Sequence, residues 1–108
     1  MRELVESLLL LQELEIVLQE SRIVHGDAAL SATAPIHEQI VRVRESLPSH
    51  DLKRFDALRR TGAGVVRETG GVCSGCHLNV PKGDLNRMLR GEVEWVCPNC
   101  GRYLLLAG

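Results

Sequence analysis

From Arg2 to Val24 the chain reads RELVESLLLLQELEIVLQESRIV, a run of good helix formers with neither Gly nor Pro, and predicts one helix. Its apolar positions fall into two rows at helical spacing: Leu4, Leu8, Leu11 and Leu18 in one, Leu10, Leu14, Val17 and Val24 in the other. Together they cover about half the circumference, more than one partner helix usually buries. The helix therefore calls for two neighbours, or for one neighbour and a second protein chain. Gly26 and Asp27 are expected to end it, with AALSAT as a short connection.

A second helix is expected to start at Thr33 as cap, with Pro35 in its first turn, where a missing N–H costs nothing. Ile36, Ile40, Val43 and Leu47 then make a single narrow seam, as in an antiparallel αα-hairpin. Pro48 stops this helix, and Ser49 can cap a third from about His50 to Arg60, with Leu52, Phe55 and Leu58 on one side. Beyond Gly62 and Gly64 the pattern changes. Ala63–Thr69 suits a strand, Pro81–Leu89 a short helix with Leu85, Met88 and Leu89 inward, and Glu92–Val96 and Arg102–Leu106 two further strands. The fold class is mainly α with a small C-terminal β module: an N-terminal αα-hairpin and a third short helix over residues 1–62, then a compact unit over 63–108.

That unit holds all four cysteines of the protein, as Cys73–Ser–Gly–Cys76 and Cys97–Pro–Asn–Cys100. Two CxxC turns separated by twenty residues have the spacing of a four-thiolate zinc site, each turn aiming two sulfurs at one ion. Two disulfides require an oxidising compartment, and the N-terminus, with acidic residues threaded through its apolar ones, shows no clear cleavage site. A thioredoxin-like redox pair explains one CxxC and not its twin. Iron in the same sulfur cage, as in rubredoxin, remains a rival because tetrahedral thiolates suit both metals. One structural zinc ion per chain is the leading expectation, supplying a large part of the module's folding energy.

At 108 residues the chain can bury one modest core, or a helical unit plus a metal-stapled one, and the latter fits the pattern. Trp95 and Tyr103, two of its three aromatics, are expected to pack as the module's apolar bulk; stacking on a nucleic-acid base is the other use of such rings. Net charge −1 argues against a blanket electrostatic grip on nucleic acid. Basic residues still cluster locally, and Lys53, Arg54, Arg59, Arg60, Lys82, Arg87, Arg90 and Arg102 are candidate nucleic-acid or partner contacts; the plainer reading of the 53–67 cluster is a solvated helix face. The longest apolar run, Leu8 to Leu11, is far short of a membrane span, so a soluble cytoplasmic protein is expected. The Met1 start favours a complete chain.

The stretch from Gly71 to His77, the segment Pro81–Leu89 and the ending Cys97–Leu104 together resemble the C-terminal module of bacterial zinc-ribbon proteins that carry an N-terminal antiparallel coiled-coil hairpin. The likeness covers roughly residues 47 to 106, including LPSHDLKRFDALRRTGAGVV as the bridge between hairpin and ribbon; over the hairpin it is one of type only. The hairpin here is shorter than those of the relatives. The resemblance implies a cytoplasmic adaptor or chaperone, some relatives being connected with flagellar or type III secretion components, with the alternative sigma factor of RNA polymerase, or with RNA.

Four cysteines close a metal shell, where a catalytic zinc keeps a position open. His77 is a weak candidate ligand beside them, and His25, His37 and His50 form no second cluster. No phosphate loop or nucleophile triad is present, so no enzyme is expected. The leading function is a zinc-binding adaptor for a protein partner. A homodimer seam through the N-terminal helices, at Leu4, Leu8, Leu11, Leu18, Leu10, Leu14 and Val17, is the simplest use of the wide leucine surface. The alternative is a nucleic-acid-binding zinc-ribbon regulator.

Overall fold

The computed structural model describes residues 1–25 and 29–107. Helices α1 (Arg2–His25) and α2 (Ala29–Ser46) form the expected hairpin, and α3 (Ser49–Arg59) turns back beneath it. Strands β1 (Val65–Thr69) and β2 (Val72–Cys73), helix α4 (Lys82–Leu89) and strand β3 (Tyr103–Leu105) make the C-terminal module. The molecule is elongated, 50 × 26 × 24 Å. The predicted end of α1 at Gly26 and Asp27 lies outside the described residues.

The second helix starts earlier than its sequence suggests. Residues 29–33 of the expected connection are helical, Thr33 is no cap, and Pro35 lies inside α2. An interior proline costs roughly 3 kcal/mol through its lost hydrogen bond and crowded preceding turn. Burial overrides that local preference: Thr33 is only 1% exposed, and the Ala and Leu residues before it are good helix formers. At α3 the cap is Pro48, in extended conformation, and Ser49 is already helical without a side-chain cap bond.

In the sheet, β1 is central. β2 returns antiparallel through Gly70 and Gly71, whose φ of +59° and +81° is what a two-residue hairpin turn of the primed type requires. β3 pairs with the other edge of β1 in parallel, Val65 opposite Tyr103 and Arg67 opposite Leu105. The strand expected over Glu92–Val96 does not form. The Val96 N–H bonds back to the Glu94 carbonyl at 2.9 Å, which bends the chain, and only Val96 bridges to Tyr103. That bend tucks Trp95 inward, where its indole N–H donates to the Met88 carbonyl at 2.8 Å. In α4, Met88 is buried and Leu85 half-buried, but Leu89 is 58% exposed and not inward as expected.

A single core joins the two halves. Val5, Leu8 and Leu11 of α1 pack in one cluster with Phe55 of α3, Val65 of β1 and Tyr103 and Leu104 of β3. Each such aliphatic side chain contributes about 1.5–3 kcal/mol on burial. Gly64 permits the close approach of α3, since a Cβ there would lie 2.8 Å from the Phe55 ring. Leu8 and Leu11 are thus wholly used inside the molecule, which removes them from the anticipated dimer seam; Leu4 and Leu18 are half-buried. The second row behaves differently, with Leu10 47%, Val17 44% and Val24 75% exposed. Sequence periodicity shows two rows but carries no sign of which one faces in.

Polar contacts fix the helices on this core. Arg44 of α2 makes a paired contact with Asp56 of α3, the closer at 2.6 Å, and lies 3.8 Å from Glu15 of α1. Burial raises the pKa of Glu15, against the pull of Arg44 and Arg59. On the far side of α3, Tyr103 donates its hydroxyl to Asp51 at 2.7 Å, both residues being buried.

Candidate metal centre

The two CxxC segments fold as copies of one turn. In the first, the Cys73 N–H donates to the Leu78 carbonyl and the His77 N–H returns to the Cys73 carbonyl, at 3.0 and 2.8 Å. In the second, the Cys97 N–H donates to Arg102 and the Gly101 N–H returns to Cys97, both at 2.9 Å. The residue after each second cysteine has left-handed backbone, Gly101 at φ +77° and His77 at φ +62°. A glycine takes this conformation freely, whereas histidine is strained there. β2 carries the first turn and β3 leaves the second, so their common neighbour β1 brings the two pairs together. Asn99 adds a side-chain bond to the Asn79 carbonyl at 3.3 Å across the gap.

The four Sγ atoms lie within 4.8 Å of one another, with Cys73 to Cys100 at 3.8 Å and Cys76 to Cys97 at 3.9 Å. A tetrahedron with Zn–S bonds of about 2.3 Å has S···S edges of about 3.8 Å. A disulfide would need a distance of about 2.0 Å. The donor set therefore fits one tetrahedral ion, and the four cysteines read from the sequence are the residues that converge. His77 is exposed and is not among the grouped donors. Cys73 and Cys97 are buried while Cys76 and Cys100 are half-buried, so the second cysteine of each turn is the one nearer solvent.

The thiols are electrostatically unequal before any metal binds. Burial pushes Cys73 up to about 12, only partly offset by the N–H groups of Cys76 and Gly75. Burial likewise raises Cys97. At Cys100 burial also acts upward but is outweighed by the Arg102 backbone and side chain and by the thiols of Cys97 and Cys73, and its pKa falls to about 7. A thiolate thus forms most readily at Cys100, and Cys73 and Cys97 give up their protons to the metal on binding. Once bound, zinc supplies a rigid closed crosslink between the two turns.

The basic candidates do not form one free surface. Arg54 is paired with Glu94 at 2.7 Å and lies over the Tyr103 ring at 5.4 Å, Arg87 is paired with Asp84, and Arg90 with Glu92 at 3.2 Å. Arg59 bonds the Gly62 carbonyl and sits 3.9 Å from Glu15. Arg102 turns inward, its Nε donating to the Ala63 carbonyl at 2.9 Å beside the second turn. Lys53, Arg60 and Lys82 are exposed. Trp95 and Tyr103 are both core residues, 5% and 0% exposed, as packing rather than stacking requires.

Gln12 was not anticipated. It is 7% exposed, and its Oε1 accepts the N–H groups of Gly64 and Val65 at 2.7 and 3.0 Å while Nε2 donates to the Val65 carbonyl at 3.0 Å. The signal available in the sequence is an amide set one residue beyond Leu11, on the face that also carries Val5 and Leu8.

No helix among the described residues is long and apolar enough to cross a membrane. No curated protein and no solved structure matches the chain at a significant level. The family model of the C4-type zinc ribbon domain matches residues 72–104, a span that starts at β2, takes in all four converging thiols and ends in β3, so the chain carries a C4-type zinc ribbon behind its N-terminal helices.

Proposed function

We propose that the protein is a non-enzymatic zinc-binding adaptor that engages a protein partner through its helical half, with a second copy of the chain as the first candidate. The observation that carries this reading is the outer row of α1. Leu10 and Val17 are exposed and Leu14 is half-buried, and Leu10 and Leu14 line a shallow groove of about 190 Å³ with Gln39, Arg42 and Val43 of α2. An apolar row beside a groove suits an amphipathic helix from outside. The closed thiolate shell supports a structural rather than a catalytic metal. Thiolates that must stay reduced suit the cytoplasm. The family resemblance adds adaptor and chaperone roles among hairpin-bearing relatives, including links to secretion, flagellar and transcription components.

Sedimentation velocity of the zinc-loaded protein from low to high micromolar concentration tests the dimer. Wild type is expected to associate with concentration and Leu10→Glu/Val17→Glu to remain monomeric. Identical monomeric profiles would dismiss the second copy as the occupant. For the nucleic-acid alternative, Lys53, Arg60 and Lys82 are exposed basic candidates outside the ion pairs described above, and binding to mixed RNA or DNA that weakens steeply with salt would move that reading ahead.

A further inference from the structure

We infer that the metal centre and α1 are one coupled unit, with Gln12 as a positioning residue that makes helix docking and metal binding depend on each other. The inference rests on the zinc-ribbon reading and concerns a helix that supplies no ligand. Gln12 spends all three of its hydrogen bonds on Gly64 and Val65, where β1 begins. The same short segment is also held by Arg102, two residues after Cys100, through the Ala63 carbonyl. β1 in turn holds the strands of both cysteine turns, β2 at one edge and β3 at the other.

The start of α1 is tied to the same module. Arg2 donates to the Leu106 carbonyl at 3.2 Å, and its guanidinium lies over the Trp95 ring at 4.8 Å. The inner row of α1 therefore rests on residues whose positions follow from the closing of the two turns. Without the metal, the β1 ladder and the Asn99 bond to Asn79 are left to hold Cys97–Cys100 beside Cys73–Cys76, and the platform under α1 loosens. Val5, Leu8 and Leu11 then come into solvent beside the already exposed outer row. Metal loading thus sets how much apolar helix surface the protein presents. Coupling of this kind is reciprocal: whatever the metal contributes to helix docking, docking contributes to metal affinity.

Zinc affinity of the full chain, measured by competition with a chromophoric chelator, tests this. Gln12→Ala is expected to bind zinc about 10-fold more weakly, within the range of coupling between linked sites. Ile23→Ala, at a residue 76% exposed, is expected to match wild type. Amide exchange of wild type gives the converse, with protection over residues 5–12 expected to be lost when zinc is chelated. Equal affinities in all three proteins, or unchanged protection after chelation, would overturn the inference. A wild-type protein that takes up no zinc would instead defeat the zinc-ribbon reading beneath it.

Discussion

Replacing Tyr103 by Phe removes one oxygen from the middle of the molecule. Its hydroxyl donates to the Asp51 carboxylate at 2.7 Å, Tyr103 is fully buried and Asp51 is 8% exposed. A hydrogen bond to a charged group contributes about 1.5–3 kcal/mol, and the abandoned carboxylate has little water to turn to. The Arg54 guanidinium stays over the ring in either protein. We expect a loss of about 2 kcal/mol, or a melting point lower by about 10 °C for a chain of this size. Urea denaturation of the zinc-saturated proteins, followed by Trp95 fluorescence, measures it. The pH dependence is a second signature. Burial, then the hydrogen bond to Asp51 and its charge, holds the Tyr103 hydroxyl well above the ordinary 10.0. The folded state keeps that proton, so the contribution is complete below the unfolded value and is lost as the pH climbs beyond it. The difference between wild type and Tyr103→Phe should be flat through neutral pH and shrink above about pH 10. A loss under about 0.5 kcal/mol, or a difference that persists unchanged in alkali, would refute the reasoning.

Gly64→Ala is expected to cost about 1–3 kcal/mol because its methyl meets the Phe55 ring, and Phe55→Leu in the same chain should recover part of that loss in the same urea titration. His77→Gly relieves left-handed backbone at a solvent-facing position and should leave zinc stoichiometry intact while stabilising the loaded protein by about 1 kcal/mol; no gain would mean that the histidine is otherwise held. Acid should release the metal early. Cys73 and Cys97, both with raised pKa, take protons back as the pH falls and Cys100, at about 7, adds to the competition, so zinc affinity should drop by at least about a hundredfold per pH unit near neutrality, followed with a zinc indicator.

The metal centre was legible because its geometry is written locally: a CxxC turn needs only its own few residues, and Gly101 even marks the left-handed position. The hairpin, α3 and α4 were legible from periodicity. What sequence could not give was set by contacts between distant segments. The inner row of α1 is chosen by where β1 and β3 lie, and α2 runs through Pro35 because Thr33 is buried. Glu92–Val96 has strand-like residues, but the indole of Trp95 finds its acceptor only if the backbone bends. The basic set looked like a surface because charges are counted along a chain, whereas Arg54 meets its carboxylate forty residues away, at Glu94.

The parallel pairing of β1 with β3 has a consequence for the speed of folding. Val65 must find Tyr103 across roughly 40 residues, and closing so long a loop is slow because its entropy is spent before any strand contact forms. A zinc ion caught by one CxxC pair and then by the other divides that search into two shorter ones. Refolding should therefore be faster in excess zinc than when the ion is added afterwards, with the metal acting as a nucleation point as well as a clamp.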